Sequence, residues 1–146
     1  AASVAGAKAA WAAGVYGVAI RLDASGPPGR RQNGVPIALS PRITAAPMRS
    51  ASGTPFTLTL TCVPRLRALQ EPGVRLIFGQ AELLPAAIDT PADPETPTSI
   101  QFAVPAPAAG AYALRLRVDG IDSLPIVVTG SPPVFGFDDN QTVTLT

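Results

Sequence analysis

The sequence predicts an all-β protein, an immunoglobulin-like antiparallel β-sandwich preceded by a β-hairpin, and three observations carry that expectation. Apolar residues recur at every second position in several short runs, most clearly Phe56, Leu58, Leu60, Cys62 and Tyr112, Leu114, Leu116, Val118. A period of two makes one face of an extended segment apolar and leaves the other to solvent. Thirteen Gly and 17 Pro, about a fifth of the 146 residues, stand mostly between such runs and punctuate them as turns. Asp119-Gly120 directly follows the Tyr112 run, and this pair turns a hairpin with little strain because Gly accepts positive φ.

Taken in order, residues 1–40 read as an Ala-rich lead and a hairpin. Residues 1–10 are Ala-rich and suit a short helical turn or a linker, and Trp11 ends them. Tyr16, Val18, Ile20 and Leu22 alternate with Gly17, Ala19 and Arg21, a Gly-, Pro- and Arg-rich loop covers 23–33, and Val35, Ile37 and Leu39 return. Pro36 cannot donate to a ladder and favours an edge position.

Residues 41–146 read as the sandwich itself. Pro41 to Met48 opens it, with Ile43 as first core residue, and Ser50 to Pro55 is a turn. Phe56, Leu58, Leu60 and Cys62 face inward, with Thr57, Thr59 and Thr61 outward, where Thr is favoured on the open face. Pro64 stops that strand. A turn at Glu71-Pro72-Gly73 leads to Val74, Leu76 and Phe78, and Ala81 to Ile88, broken by Pro85, is a short strand or an irregular edge. Pro91, Pro94 and Pro97 make Asp89 to Thr98 a loop. Ile100, Phe102 and Val104 form a strand, and Pro105 to Gly110 crosses to Tyr112. After Asp119-Gly120 the run Ile121 to Val128 is expected to return as the second strand of a hairpin. Gly130 to Pro133 turns again, and Val143 and Leu145 lie in a last strand. Counting from Ile43, seven or eight strands are expected, the number an immunoglobulin-like sandwich uses.

The chain contains an internal similarity. Residues 12–23 and 108–119 share six of twelve positions, namely both Ala residues, Gly14/Gly110, Tyr16/Tyr112, Arg21/Arg117 and Asp23/Asp119. A separation of 96 residues is the span of a whole sandwich, not of a short solenoid repeat. On that reading residues 1–40 hold the end of a preceding sandwich. Ala-rich strands also resemble one another by composition, and the residues alone leave that alternative open.

Composition narrows the function classes. Apolar residues are 47% and charged ones 14%, with 11 basic and 10 acidic residues giving a net charge of +1. Such a chain can build a core but has no field to attract nucleic acid or anionic lipid, and neither is expected as a partner. Ten of the basic residues are Arg and one is Lys8, a usage that fits the codon bias of a GC-rich genome. No run reaches the roughly 18 apolar residues of a membrane helix, and the Ala-rich opening lacks the order of a signal peptide. Cys62 is the single cysteine, so no intrachain disulfide forms and a reducing compartment suffices.

No residue is nominated as catalytic, cofactor-binding or metal-ligating. The sequence holds no His, which removes Ser-His-Asp and Cys-His catalysis and His-ligated zinc. Cys62 sits on an apolar strand face, where a thiol acts as a small hydrophobe. Asp119 with Asp122, and Asp138-Asp139-Asn140, lack the oxygen-rich spacing of a calcium loop and read as turn residues. No Gly-rich phosphate cradle precedes a helix. Arg115 and Arg117 share one strand face, with Arg65, Arg67 and Arg75 expected nearby, either as a stripe for an acidic partner or as a solvated face. Tyr112, opening its strand after Ala-Ala-Gly-Ala, suits a tyrosine corner.

Three segments, Gly14-Val-Tyr-Gly-Val-Ala-Ile, Arg31-Gln-Asn-Gly-Val-Pro-Ile-Ala-Leu-Ser-Pro-Arg-Ile and Gly110-Ala-Tyr-Ala-Leu-Arg-Leu-Arg-Val-Asp-Gly-Ile-Asp-Ser-Leu, together resemble one family. They look like the C-terminal immunoglobulin-like part of the tail-cap (tail-terminator) proteins of contractile injection systems, which are phage-tail-like particles. The resemblance implies a non-enzymatic structural or accessory domain near the tail cap, with tail tube, sheath or neighbouring cap subunits as protein partners. It implies a hexamer only through an N-terminal ring-forming domain that these residues lack. The implied location is the cytoplasm, within an assembled bacterial particle, with extracellular release as a further step. The alternative is a carbohydrate- or protein-binding β-sandwich module of a larger surface or secreted protein. Aromatic residues at 5%, with Trp11 outside the sandwich, are few for a sugar platform.

Overall fold

The computed structural model describes residues 11–19 and 34–146. Its body is an all-β antiparallel sandwich preceded by a two-stranded hairpin, as the alternation predicts. The hairpin is β1 (Gly14–Val18) with β2 (Val35–Leu39). The readings of residues 1–10, of Ile20 and Leu22 and of the loop at 23–33 lie outside the described residues.

The sandwich begins with β3 (Arg42–Ala46), β4 (Arg49–Ser50) and β5 (Phe56–Val63). A 3-10 turn over Ala68–Gly73 follows, then β6 (Arg75–Phe78), β7 (Ala81–Leu83), β8 (Ala87–Asp89) and β9 (Thr98–Val104). The last third holds β10 (Gly110–Val118), β11 (Ile121–Asp122), β12 (Ile126–Thr129), β13 (Val134–Phe137) and β14 (Thr142–Leu145). One sheet has the order β3-β5-β9-β8; the other runs β4-β14-β10-β6-β7 with β11 added on β10. These are the A-B-E-D and G-F-C-C′ orders of immunoglobulin-type sandwiches, with β4 lying parallel to β14 at one edge.

The two inner faces meet where the period of two placed them. Leu58, Leu60, Ile100 and Phe102 from the first sheet and Leu76, Leu114, Leu116, Val118 and Val143 from the second are wholly buried in one cluster. Each such side chain contributes about 1.5–3 kcal/mol by leaving water, so this layer dominates the stability. Tyr112 donates its hydroxyl hydrogen to the carbonyl of Ala108 at 3.0 Å, which is the tyrosine corner expected of it. Leu114 stands two residues later, where antibody-type domains carry the second cysteine of their inter-sheet disulfide. Here packing holds the sheets instead.

Several expectations are corrected. The Ile121–Val128 return of the Asp119-Gly120 hairpin lasts only two residues, Ile121 and Asp122, against Val118 and Arg117. The turn itself forms as expected, with φ of 48° at Asp119 and 81° at Gly120. Pro125 lacks the N–H to continue the ladder, and the Ser123 hydroxyl takes the N–H of Leu116 at 3.0 Å while the Ser123 N–H donates to the Leu116 carbonyl. The chain then leaves the sheet and forms a separate hairpin of β12 with β13. Ala81 to Ile88 is two strands, not one edge: β7 pairs with β6 and β8 with β9, so the chain changes sheets across Leu84-Pro85-Ala86. Glu71-Pro72-Gly73 ends a 3-10 turn rather than forming a simple turn. From β3 onward there are 12 strand segments, more than seven or eight, because short edge pieces leave little pattern in sequence.

Candidate interaction surfaces

The residues singled out for chemistry are engaged in holding the fold. Cys62 is wholly buried, and burial pushes its thiol up to about 12; a protonated thiol is a poor nucleophile at neutral pH. Asp122 accepts from Arg117 through both oxygens, at 2.6 and 3.0 Å, and from Arg115 at 3.4 Å. The Arg117 hydrogen bonds hold its carboxyl below the usual carboxylate range. Asp119 accepts from the Gln70 amide at 3.0 Å. Asp138 caps the 3-10 turn over Asp139–Gln141, taking the N–H of Asn140 at 3.1 Å and the Gln141 amide at 3.2 Å. Burial alone would raise its pKa, but the bonds from Gln141 and Asn140 together bring it below the ordinary value. Among the described residues no three His, Cys, Asp or Glu side chains group as a metal site.

The Arg stripe proves to be an ion-paired outer sheet face. Arg117 lies opposite Arg75 in the β10–β6 register, with Asp122 on the one and Glu82 at 3.6 Å from the other. The two guanidinium groups are like charges placed opposite each other, and the flanking carboxylates of Asp122 and Glu82 offset their repulsion. Arg65 is elsewhere, in the groove described next.

Among the described residues, two apolar surfaces outside the sandwich core stand out. The first is a groove of about 600 Å³ between the β1–β2 hairpin and one end of the sandwich. Tyr16, Val18, Ile37 and Leu39 of the hairpin line it together with Val63, Pro64, Pro94 and Pro97 of the sandwich. Trp11 closes an end, its ring 4.8 Å from that of Tyr16. Among the described residues, Arg65 and Glu95 are the charged ones in its lining.

The second surface is the β12–β13 hairpin. Ile126 pairs with Phe137 and Val128 with Phe135, so these four side chains share one face, and each is at least half exposed, Phe135 by 72%. No charged residue occurs from Leu124 to Phe137. The base of this hairpin is firmly tied. The Asp138 N–H donates to the Pro125 carbonyl at 3.0 Å, the buried Gln141 amide donates to the Leu124 carbonyl at 2.9 Å, and the Ser123 hydroxyl donates to Gln141 Oε1 at 3.1 Å. Left uncovered, exposed apolar strands of this kind invite indiscriminate pairing. Sequence reading missed it, although Ile-Val-Val-Thr and Val-Phe-Gly-Phe around Gly130-Ser-Pro-Pro carry a strand–turn–strand signal.

Among the described residues, fold and surfaces together define a β-sandwich module with exposed apolar faces at the β1–β2 groove and on the β12–β13 hairpin. Over residues 41–144 the chain matches the family described as Domain of unknown function (DUF8756), and it belongs to that family. No curated protein and no solved structure matches it.

Proposed function

We propose that this chain is a non-enzymatic, structural module that works by protein–protein contact, as an accessory immunoglobulin-like domain near the cap of a phage-tail-like contractile particle. The observation that carries the contact role is the β12–β13 hairpin, whose Ile126, Val128, Phe135 and Phe137 form an uncharged, exposed face on a hydrogen-bonded base. The sequence resemblance of residues 12–146 to the C-terminal part of tail-cap proteins supplies the particle, and a neighbouring cap, tube or sheath subunit is the partner. Two features support a role without chemistry: the lone thiol is buried and protonated, and Asp122, Asp138 and Asp119 serve an ion pair, a cap and an amide.

The test is localisation in purified particles. Density for this sandwich at the terminal end of the tube, lost in particles that carry F135D/F137D, is the expected result. Particles that never contain the polypeptide, or that incorporate the double variant normally, overturn the reading. The isolated variant keeps its circular dichroism and melting transition, because both side chains point to solvent.

A further inference from the structure

The β1–β2 hairpin repeats β10 and β14 in geometry as well as in sequence. Gly14 stands opposite Leu39 and Tyr16 opposite Ile37; Gly110 stands opposite Leu145 and Tyr112 opposite Val143, in the same antiparallel register. The corner is repeated too. Tyr16 donates its hydroxyl hydrogen to the Ala12 carbonyl at 2.7 Å, as Tyr112 does to Ala108. Gly14 and Gly110 share an unusual positive φ, 159° and 149°. Composition explains an alternation of apolar residues, but not a shared register, corner and glycine conformation.

Burial is where the two copies part. Leu114 and Val143 are wholly covered by the facing sheet, whereas Val18 and Ile37, their counterparts, are 47% and 51% exposed. We propose that β1 and β2 are the last two strands of a second sandwich. Its other strands come from polypeptide joined N-terminal to Ala1, and they dock on the face bearing Tyr16, Val18, Ile37 and Leu39. The occupant is therefore a half-sandwich with an aliphatic inner face, completed by these two strands as in strand complementation. Chain order supports this source, since in the copy within residues 41–146 every strand of the facing sheet precedes the corner. Residues 1–10 are too short to fill the role: ten residues reach at most about 35 Å, one strand against the four of the facing sheet. A second copy of residues 41–146 does not fit either, because its four-stranded sheet is already covered by its own β10 and β14. The groove against Val63, Pro64, Pro94 and Pro97 then becomes the joint between successive sandwiches.

The test compares residues 1–146 with the natural polypeptide extended upstream by about 100 residues, one sandwich length. Amide exchange in 14–18 and 35–39 is expected to slow on the order of 100-fold or more on extension, as a frayed pair becomes part of a cooperative unit, and Trp11 emission to shift to the blue. V18D/I37D abolishes that protection in the extended protein and leaves the melting of residues 1–146 unchanged. Equal exchange in the two proteins overturns the proposal, as does an extended V18D/I37D protein that keeps its protection. None of these outcomes bears on whether the protein sits in a tail particle.

Discussion

Residues 14–39 and 110–145 hold the same strand pair twice, in one case bare and in the other buried. Both pairs close a corner through a Tyr hydroxyl on the carbonyl four residues back, and both set a glycine opposite a leucine. Local chemistry is thus sufficient to form the pair. What it does not do is stabilise it much, since a two-stranded hairpin is marginal in water; the β10–β14 copy gains a fully buried Leu114, Leu116 and Val143 from the facing sheet. The difference separates what a motif shapes from what a core stabilises.

Cavity substitutions at matched positions give the largest contrast. L114A removes a wholly buried side chain and is expected to cost about 2–5 kcal/mol in urea unfolding, whereas V18A, at a half-exposed site, shifts the midpoint by less than about 0.5 kcal/mol. Equal losses would mean that the two pairs are embedded alike.

Gln70 physically links the copies, and its removal comes next. Its amide donates to the buried carbonyl of Ala13, just before β1, at 2.8 Å and to Asp119, just after β10, at 3.0 Å. Q70A leaves the Ala13 carbonyl without that partner in a buried place, a loss of about 1–3 kcal/mol. Unfolding followed by Trp11 fluorescence is expected to run further ahead of that followed by circular dichroism in this variant than in the parent protein.

The corners themselves should differ by a smaller step. Y112F removes one hydrogen bond of the cooperative sandwich and is expected to cost about 0.5–1.5 kcal/mol. Y16F, read by the same denaturant titration, is expected to leave the main transition unmoved. A Y16F loss as large as that of Y112F would show the β1–β2 pair to be part of the same folding unit.

The weakest effect concerns the excursion from Asp119 to Gln141 that β10 carries. Arg117 on Asp122, and Gln141 and Asn140 on Asp138, keep both carboxyls below their ordinary range. A depressed carboxyl stabilises the fold above its unfolded value, near about 4 for Asp. That contribution fades as pH falls through the lower folded value. The melting temperature is therefore expected to stay level from neutral pH to about 5 and to drop on further acidification. D122N should make that drop shallower, and an unchanged profile would assign the acid sensitivity elsewhere.

Long alternating runs were legible because burial on one face of a strand writes itself into every second residue. Leu58, Leu60, Ile100, Phe102, Leu114 and Leu116 all lie where that rule puts them. The inner core of both sheets, the Asp119-Gly120 turn and the Tyr112 corner follow from it. The return of Ile121–Val128 did not, because Pro125 and the Ser123 hydroxyl divert the chain, and a run of apolar residues reads alike whether it rejoins the sheet or leaves it. The candidate surfaces were harder still. Val18 and Phe135 are as apolar as Leu114, and nothing in a residue's identity tells whether another strand lies above it.

Alone, the sequence determined the all-β class, the period-two strands, the turns that glycine and proline permit and the doubled Gly-x-Tyr corner, since each depends on neighbours a few residues apart. Only the tertiary structure decided which strands share a sheet, where the chain changes sheets at Leu84-Pro85-Ala86, and which apolar faces stay open. Those outcomes depend on contacts between segments tens of residues apart, where many pairings satisfy the same local pattern and only the packed arrangement selects one.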